Sequence, residues 1–228
     1  YTRQSYPEEW AMTQNNLAAT YCQRIRGERA DNLEQAIAHF RQALEVHTRQ
    51  AYPEEWAMTQ NNLATAYCDR VQGERADNLE RAIAHYGQAL EVYTRQGYPE
   101  EWAMTQNNLA TAYRDRIRGD RAKDLNNAIE LYRQALSVRT FDRFPAGFQQ
   151  TQRNLGHLYF GKANWVEARA AYREAIRAEQ VLLAVAYTEA GRESETAQTS
   201  ALYAPAAYAL LKLNRPGEAL VQLEQGKT

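Results

Sequence analysis

The stretch Pro53-Glu-Glu-Trp56-Ala-Met-Thr-Gln-Asn61-Asn62-Leu63-Ala64-Thr-Ala-Tyr67 recurs along the chain and sets its architecture. Nearly the same residues follow Pro7 and Pro99, and a diverged copy follows Pro145, so the copies start at a constant step of 46 residues. A fixed period of this length is typical of a solenoid, in which each unit buries its apolar face against its neighbours. The sequence therefore predicts one all-α array, whose function depends on what its repeated surface presents.

Each unit has the pattern of two helices joined by a turn. At about 100° per residue, the apolar residues of the first helix share one arc: Trp10, Leu17, Ala18, Tyr21 and Ile25. Pro7 suits the first turn of this helix, and Gly27 is a plausible left-handed stop. Asp31 with Glu34 predicts a capping box at the start of the second helix. The unit is therefore expected to be a helical hairpin.

The period divides the chain into hairpins at about 7–52, 53–98, 99–144 and 145–187, then a polar linker at 188–195 and a helix pair at 196–228. The first two units agree at 36 of 46 positions, which implies recent duplication. In the fourth unit Tyr159 and Tyr172 are 13 positions apart, whereas Tyr113 and Tyr132 are 19 apart, which predicts a turn shorter by six residues. The chain begins within a repeat and without an initiator Met, so we expect it to be a fragment of a longer protein.

Charge and composition exclude several classes of function. The formal net charge is −1 and the pI is about 6.5, so no overall field attracts nucleic acid or an acidic membrane. No apolar run approaches the roughly 20 residues that span a bilayer. Arg-rich turns are interleaved with Asp and Glu, which favours local ion pairing over nucleic-acid binding. We expect a cytoplasmic protein that binds neither nucleic acid nor membrane.

No pattern of catalytic or metal-binding residues is apparent. Cys22 and Cys68 occupy equivalent positions and are interpreted as free thiols, with a disulfide between repeats or a reactive pair as the alternatives. The four histidines have no metal-ligand spacing. The terminal Gln225-Gly-Lys-Thr228 lacks the first glycine and the strand context of a phosphate-binding loop. We therefore predict that this chain is not an enzyme and needs no cofactor.

Leu155-Gly156-x-x-Tyr159, followed by Ala168, Tyr172 and Ala175, resembles the tetratricopeptide repeat (TPR). The first three units fit the same pattern with Ala18, Ala64 and Ala110 in place of glycine, and they are 46 rather than 34 residues long. One extension of six residues is expected in the turn and another between successive hairpins. The resemblance covers essentially the whole chain and implies a right-handed superhelical solenoid of antiparallel helix hairpins.

A narrower resemblance concerns the form Pro-x-x-Trp-Ala-x-Thr-Gln-Asn-Asn-Leu. It is similar to TPR arrays that precede caspase-like CHAT peptidase domains in bacterial proteins. That resemblance would place a catalytic domain beyond Thr228, outside this sequence.

If Leu17 and Tyr21 mark the buried side of the first helix, both asparagines of each Asn-Asn pair are expected to project from the opposite arc. In TPR proteins the first helix of each hairpin lines a concave groove, and the Asn before the Leu matches positions that hydrogen-bond a ligand backbone. The predicted partner-binding residues are Asn15, Asn16, Asn61, Asn62, Thr65, Asn107, Asn108, Thr111, Arg114, Arg153, Asn154 and His157. The alternative is that these amides bond to one another within the array.

The sequence is compatible with three functions. The first is a protein-interaction scaffold or regulatory module that binds a peptide or partner segment in the concave groove. The second is the sensor arm of a CHAT-type peptidase. The third is self-association by end-to-end stacking of arrays into a homo-oligomer.

Overall fold

The computed structural model describes residues 2–185 and 202–226, and these contain helices and turns but no strand. The helices are α1 (Pro7–Gln23), α2 (Arg29–Leu44), α3 (Pro53–Asp69), α4 (Arg75–Ala89), α5 (Pro99–Asp115), α6 (Arg121–Leu136), α7 (Pro145–Gly161), α8 (Trp165–Val185), α9 (202–212) and α10 (Pro216–Gln225). We call α1, α3, α5 and α7 helix A of their hairpins, and α2, α4, α6 and α8 helix B. The predicted linker at 188–195 lies outside the described residues.

The first helix of each repeat begins at its proline. Pro7, Pro53, Pro99 and Pro145 are the first residues of α1, α3, α5 and α7, so these helices start at the predicted 46-residue step. Proline suits this place because its fixed φ is helical and its missing N–H would have had no partner there. An aromatic residue precedes each proline, and its carbonyl accepts the first helical hydrogen bond, as Tyr52 does from the N–H of Trp56 at 2.9 Å.

The turn between helix A and helix B is ordered by repeated side-chain contacts. Asn32 donates to the carbonyl of Arg26 at 2.9 Å, and Asn78 donates to the carbonyl of Gln72 at 2.8 Å. Gly27 has a φ of 83°, as the left-handed prediction required, but α1 ends four residues before it. The predicted capping box is wrong, since α2 begins at Arg29 and no side chain caps it.

Helix B also closes the end of helix A. The guanidinium groups of Arg29, Arg75 and Arg121 donate to the carbonyls of Cys22, Cys68 and Arg114, respectively. These carbonyls belong to the last turn of helix A, where no intrahelical N–H is available. The chain beyond is extended, so Ile25 lies outside the helix and is 97% exposed, contrary to the prediction that it joins the buried arc.

Small residues let large ones pack between the helices. Ala64 and Ala82 are fully buried, and the Tyr86 ring is 2% exposed. Between successive hairpins, Ala57, Ala89 and Tyr93 form a buried cluster. The half-buried side chains packed against this cluster are Trp56, Met58, Val92, Tyr98 and Trp102. Tyrosine and tryptophan therefore carry most of the apolar contact area, while alanine permits close approach of the helices.

The structure contains two compact units, Tyr1–Ala128 and Ile129–Thr228. In the second unit α7 packs on α8, and Ala207 and Leu210 of α9 form a small core with Ala219 of α10. The prediction of one continuous array over 1–228 stays a prediction. None of the described helices is long and apolar enough to cross a membrane.

Candidate protein-binding face

One face of helix A remains exposed or half-buried in each hairpin of the first unit. In α3 the buried residues cover most of the circumference, because both neighbouring hairpins and its own helix B pack against it. The residues left over recur at intervals of three and four, which is one side of a helix. We call this face the helix-A strip. It consists of Glu9, Met12, Asn16, Ala19 and Gln23 of α1; Glu55, Met58, Asn62, Thr65 and Asp69 of α3; and Glu101, Met104, Asn108, Thr111 and Asp115 of α5.

The two asparagines of each pair lie in different environments. Asn16 is exposed, and Asn62 and Asn108 are half-buried members of the helix-A strip. The preceding asparagines are buried, with exposed fractions of 3% for Asn15, 4% for Asn61 and 1% for Asn107. The prediction that both members project from the open arc is therefore wrong for Asn15, Asn61 and Asn107.

The buried amides form a ladder across the hairpins. Asn107 Nδ2 donates to Asn108 Oδ1 at 3.2 Å, and Asn108 Nδ2 donates to Asn61 Oδ1 at 3.5 Å. Asn61 Nδ2 donates to Asn62 Oδ1 at 3.4 Å, and Asn62 Nδ2 donates to Asn15 Oδ1 at 3.5 Å. Five amides are thus linked in series from α5 to α1. This geometry is the alternative raised for these residues, and it explains why asparagine, a poor helix former, is repeated inside three helices.

The amides on the strip can still form hydrogen bonds with a ligand, as Asn62 shows. A side-chain amide has two N–H donors and an oxygen with two lone pairs. In the ladder, Asn62 donates once to Asn15 and accepts once from Asn61. One donor and one lone pair of Asn62 are not used by these two bonds. The ladder therefore fixes the orientation of Asn62 and Asn108, and it does not use all the hydrogen-bonding groups of Asn62.

The other predicted residues of the first unit are engaged locally. Thr65 Oγ1 is within 3.1 Å of the Asn61 carbonyl and 2.9 Å of the Tyr86 hydroxyl. Thr111 Oγ1 donates to the Asn107 carbonyl at 3.1 Å. Arg114 contacts both carboxylate oxygens of Asp115, at 2.8 and 3.0 Å.

In the second unit, α7 has its own version of the strip positions. Asn154 is half-buried, as is Arg153, which occupies the place of the buried Asn61. The His157 ring is exposed, and its Nδ1 lies 2.9 Å from the hydroxyl of Tyr172. The structure thus places Asn154 and His157 at positions equivalent to Asn62 and Thr65, on a helix that belongs to the other compact unit.

The cysteines lie beside the strip and are both free thiols. Burial raises the pKa of Cys68 to about 11, although a hydrogen bond with Tyr86 and the charge of Arg75 act in the opposite direction. Burial also raises the pKa of Cys22. A thiol with a raised pKa is protonated at neutral pH and is a poor nucleophile.

Arginines of the turns pair with carboxylates of the preceding hairpin. Arg70 binds both oxygens of Glu34 at 2.6 and 2.8 Å, and Arg116 binds both oxygens of Glu80 at 2.7 and 3.0 Å. The ion pairing predicted for these turns is therefore present, but these two pairs join successive hairpins. Among residues 2–185 and 202–226, no cluster of His, Cys, Asp and Glu could hold a metal ion.

One row of the strip was missed from the sequence. Glu9, Glu55 and Glu101 lie in the first turn of helix A, where a carboxylate interacts favourably with the helix N-terminus, and this alone would account for their presence. Each lies seven residues before a strip asparagine and three before a strip methionine, so the same helical spacing would have placed it on this face.

Comparisons with known proteins agree with this fold. The sequence profile of the family described as "Soluble NSF attachment protein, SNAP" matches residues 36–189, and that described as "Tetratricopeptide repeat" matches residues 10–49. Among curated protein sequences, none matches this chain significantly.

Two solved structures are similar over 96% of the chain. BtubC (BKLC) from P. vanneervenii has 19% sequence identity and a TM-score of 0.66 over 89% of its own length. The MamA protein has 13% identity and a TM-score of 0.58 over 90% of its length. At these identities the likeness concerns the fold, which is an all-α helical-repeat solenoid. With a family profile covering about two thirds of its residues, the chain belongs to the tetratricopeptide-like helical-repeat proteins that include the soluble NSF attachment proteins.

Proposed function

We propose that this protein is an interaction scaffold, and that the helix-A strip of its first unit binds an extended segment of a partner protein. Tetratricopeptide repeats generally bind proteins, and the helical-repeat fold is consistent with that role. The observation that carries the finer proposal is the row of Asn16, Asn62 and Asn108, which lie on the open face while buried neighbours hold two of them in place.

An extended segment is the ligand that this row suits best. A peptide in extended conformation presents alternating N–H and C=O groups along its length, and an amide side chain can satisfy both kinds of group without selecting a sequence. Because the same residue recurs in three successive hairpins, a segment that crosses them would meet equivalent groups at regular intervals. Arg153, Asn154 and His157 of the second unit remain proposed contacts of the same kind.

The test replaces the three strip asparagines. A selection of displayed random peptides against the intact chain supplies a ligand, and its affinity is compared between the native chain and the Asn16→Ala/Asn62→Ala/Asn108→Ala variant. Loss of hydrogen bonds to desolvated amides costs about 1–3 kcal/mol each, or roughly one to two decades in affinity per site. We expect the triple variant to lose measurable binding while keeping its helical circular dichroism.

A matched control tests whether the position of the asparagines on the strip matters, and not merely their number. Asn126 and Asn127 are exposed on helix B, and their replacement by alanine should leave the affinity unchanged. If the strip variant binds the selected peptide as tightly as the native chain does, the strip is not the binding face.

A further inference from the structure

Charge is distributed unevenly between the two kinds of helix in the first unit. The helices α2 and α4 each carry two arginines and two carboxylates, so they are balanced. The helices α1, α3 and α5 together carry one basic residue, Arg114, against eight acidic ones. Those acidic residues are Glu8, Glu9, Glu54, Glu55, Asp69, Glu100, Glu101 and Asp115. The near-neutral charge of the whole chain therefore conceals the acidic character of α1, α3 and α5.

Four of the carboxylates away from the strip have arginine partners. Glu34 pairs with Arg70, Glu80 and Asp124 pair with Arg116, and Asp77 pairs with Arg118. On the strip itself, Asp69 pairs with Arg29 and Asp115 pairs with Arg114. No lysine or arginine of the described part of the chain forms an ion pair with the other strip carboxylates, Glu9, Glu55 and Glu101. These three carboxylates occupy the same position of successive hairpins on the helix-A strip.

The strip also presents apolar contact area next to the carboxylates. The chain has three methionines, and all three lie on the strip as half-buried residues, at Met12, Met58 and Met104. Methionine is flexible and polarizable, so it adapts to apolar side chains of different shapes and is frequent on binding surfaces. From one end of helix A, the strip thus offers a carboxylate row, a methionine row and an amide row.

We propose that the helix-A strip docks a basic segment of a partner protein, in which lysine or arginine side chains alternate with apolar ones. The basic groups pair with Glu9, Glu55 and Glu101, the apolar side chains contact the methionine row, and the backbone meets the asparagines. The inference rests on the proposed function, because it names the partner chemistry of the same face. Carboxylates repeated along a face attract cations over about 8 Å at physiological salt, so the contact is also sensitive to ionic strength.

The experiment uses two labelled probe peptides, a Lys-Leu-Ser repeat and its Glu-Leu-Ser counterpart, and follows their binding to the intact chain by fluorescence anisotropy. The lysine probe should bind and the glutamate probe should not. The Glu9→Gln/Glu55→Gln/Glu101→Gln variant should bind the lysine probe about tenfold more weakly, since exposed ion pairs are each worth about 0.2–1 kcal/mol. Added salt should weaken binding of the lysine probe to the native chain more than its binding to this variant.

A charge-matched control removes the same number of carboxylates elsewhere. Glu28, Asp31 and Glu74 are exposed at the turns and starts of helix B, and the Glu28→Gln/Asp31→Asn/Glu74→Gln variant should lose less than about twofold in affinity. Equal losses in the two variants, or tighter binding of the glutamate probe, would overturn the basic-segment inference. Those outcomes leave the asparagine test of the proposed function standing. If the asparagine variant fails to weaken any ligand, the proposed function falls independently of charge.

Discussion

His47 is completely buried where α1 and α3 meet the end of the first hairpin. Its ring nitrogens have no side-chain hydrogen-bond partner, the backbone of Glu8 is close enough to favour the protonated ring, and the Tyr52 ring lies 5.8 Å away, centroid to centroid. Burial lowers the pKa of His47, and the carboxylates of Glu55 and Glu8 oppose this effect without reversing it. The next hairpin has Tyr93, also buried, at the equivalent position. Tyrosine therefore fits this position and, unlike histidine, has no basic group to protonate.

We predict that His47→Tyr removes part of the acid sensitivity of the protein. The folded state binds a proton at His47 less readily than the unfolded chain does, so this residue destabilises the fold as pH falls below about 6.5. The loss levels off once the pH is below the lowered pKa of the folded state. In urea unfolding at about pH 8, the native chain and the variant should have free energies of unfolding within about 1 kcal/mol of each other. At about pH 5 the variant should be the more stable of the two proteins. A difference that is the same at both pH values would show that protonation of His47 does not contribute.

The Asn-Asn pairs show which residue-level features the sequence could and could not predict. Leu63 and Tyr67 are 1% exposed, as their spacing predicted, and Asn62 lies on the open face. Asn61 is buried because helix A of a middle hairpin is covered from three directions, and this burial includes polar residues such as Thr59 and Gln60. An apolar arc marks only part of such a buried surface. Leu17 shows the converse, since it is 38% exposed although its spacing predicted that it would be buried.

At the scale of the element, the fourth hairpin differs from the others in a way that spacing alone could not resolve. The sequence has six fewer residues between Tyr159 and Tyr172 than between Tyr113 and Tyr132, and this predicts a turn shorter by six residues. The structure shows that α8 starts seven residues before Tyr172, whereas α4 starts eleven residues before Tyr86. Four of the six residues are therefore one helical turn of helix B, and two belong to the connection. Proline marked the starts of helix A, but no comparable signal marked the starts of helix B.

In the fourth hairpin the ring of Tyr172 on α8 packs directly against Gly156 of α7. A Cβ atom at this position would lie 2.7 Å from two ring carbons of Tyr172, which is too close for any real contact. The equivalent residue of the second hairpin is Ala64, which is fully buried without such an obstacle. The Leu-Gly-x-x-Tyr pattern of the fourth unit therefore has a direct steric reason.

We predict that Gly156→Ala destabilises the protein by about 1–3 kcal/mol, because the extra methyl group forces α7 and α8 apart or Tyr172 out of its rotamer. The intrinsic preference of alanine for helices works in the opposite direction by about 1 kcal/mol and is outweighed. Thermal unfolding followed by circular dichroism measures the change. Ala64→Gly is the matched control and should cost only the loss of one methyl group and of helix propensity. Stabilisation by Gly156→Ala would contradict the steric account.

At the scale of the molecule, the first unit is joined by contacts that repeat with the sequence period. Besides the amide ladder and the Trp and Tyr clusters, two arginines bind the carboxylate of a glutamate on the preceding helix B. Arg70 binds Glu34, and Arg116 binds Glu80. Arg116 also binds Asp124 at 3.2 Å, and the side chain of Asp124 is only 5% exposed. The pKa of Glu34 is lowered, chiefly by its hydrogen bonds with Arg70, which is the behaviour of an ion pair that favours the folded state. In a solenoid, such contacts between neighbours determine how far unfolding is cooperative.

We predict that Arg116→Gln both destabilises the first unit and broadens its unfolding transition. Removing the guanidinium group leaves the buried carboxylate of Asp124 without this partner. Breaking a fully buried ion pair costs about 3–5 kcal/mol of folding free energy. The cost here is smaller, because Glu80 is partly exposed. Arg118→Gln is a close control two residues away, because its pair with Asp77 is half-exposed and should be worth less than about 1 kcal/mol. Urea unfolding followed by tryptophan fluorescence and by circular dichroism should give coincident transitions for the native chain and for Arg118→Gln, and separated ones for Arg116→Gln. Coincident transitions in all three proteins would mean that the ladder and the aromatic clusters couple the hairpins without this ion pair.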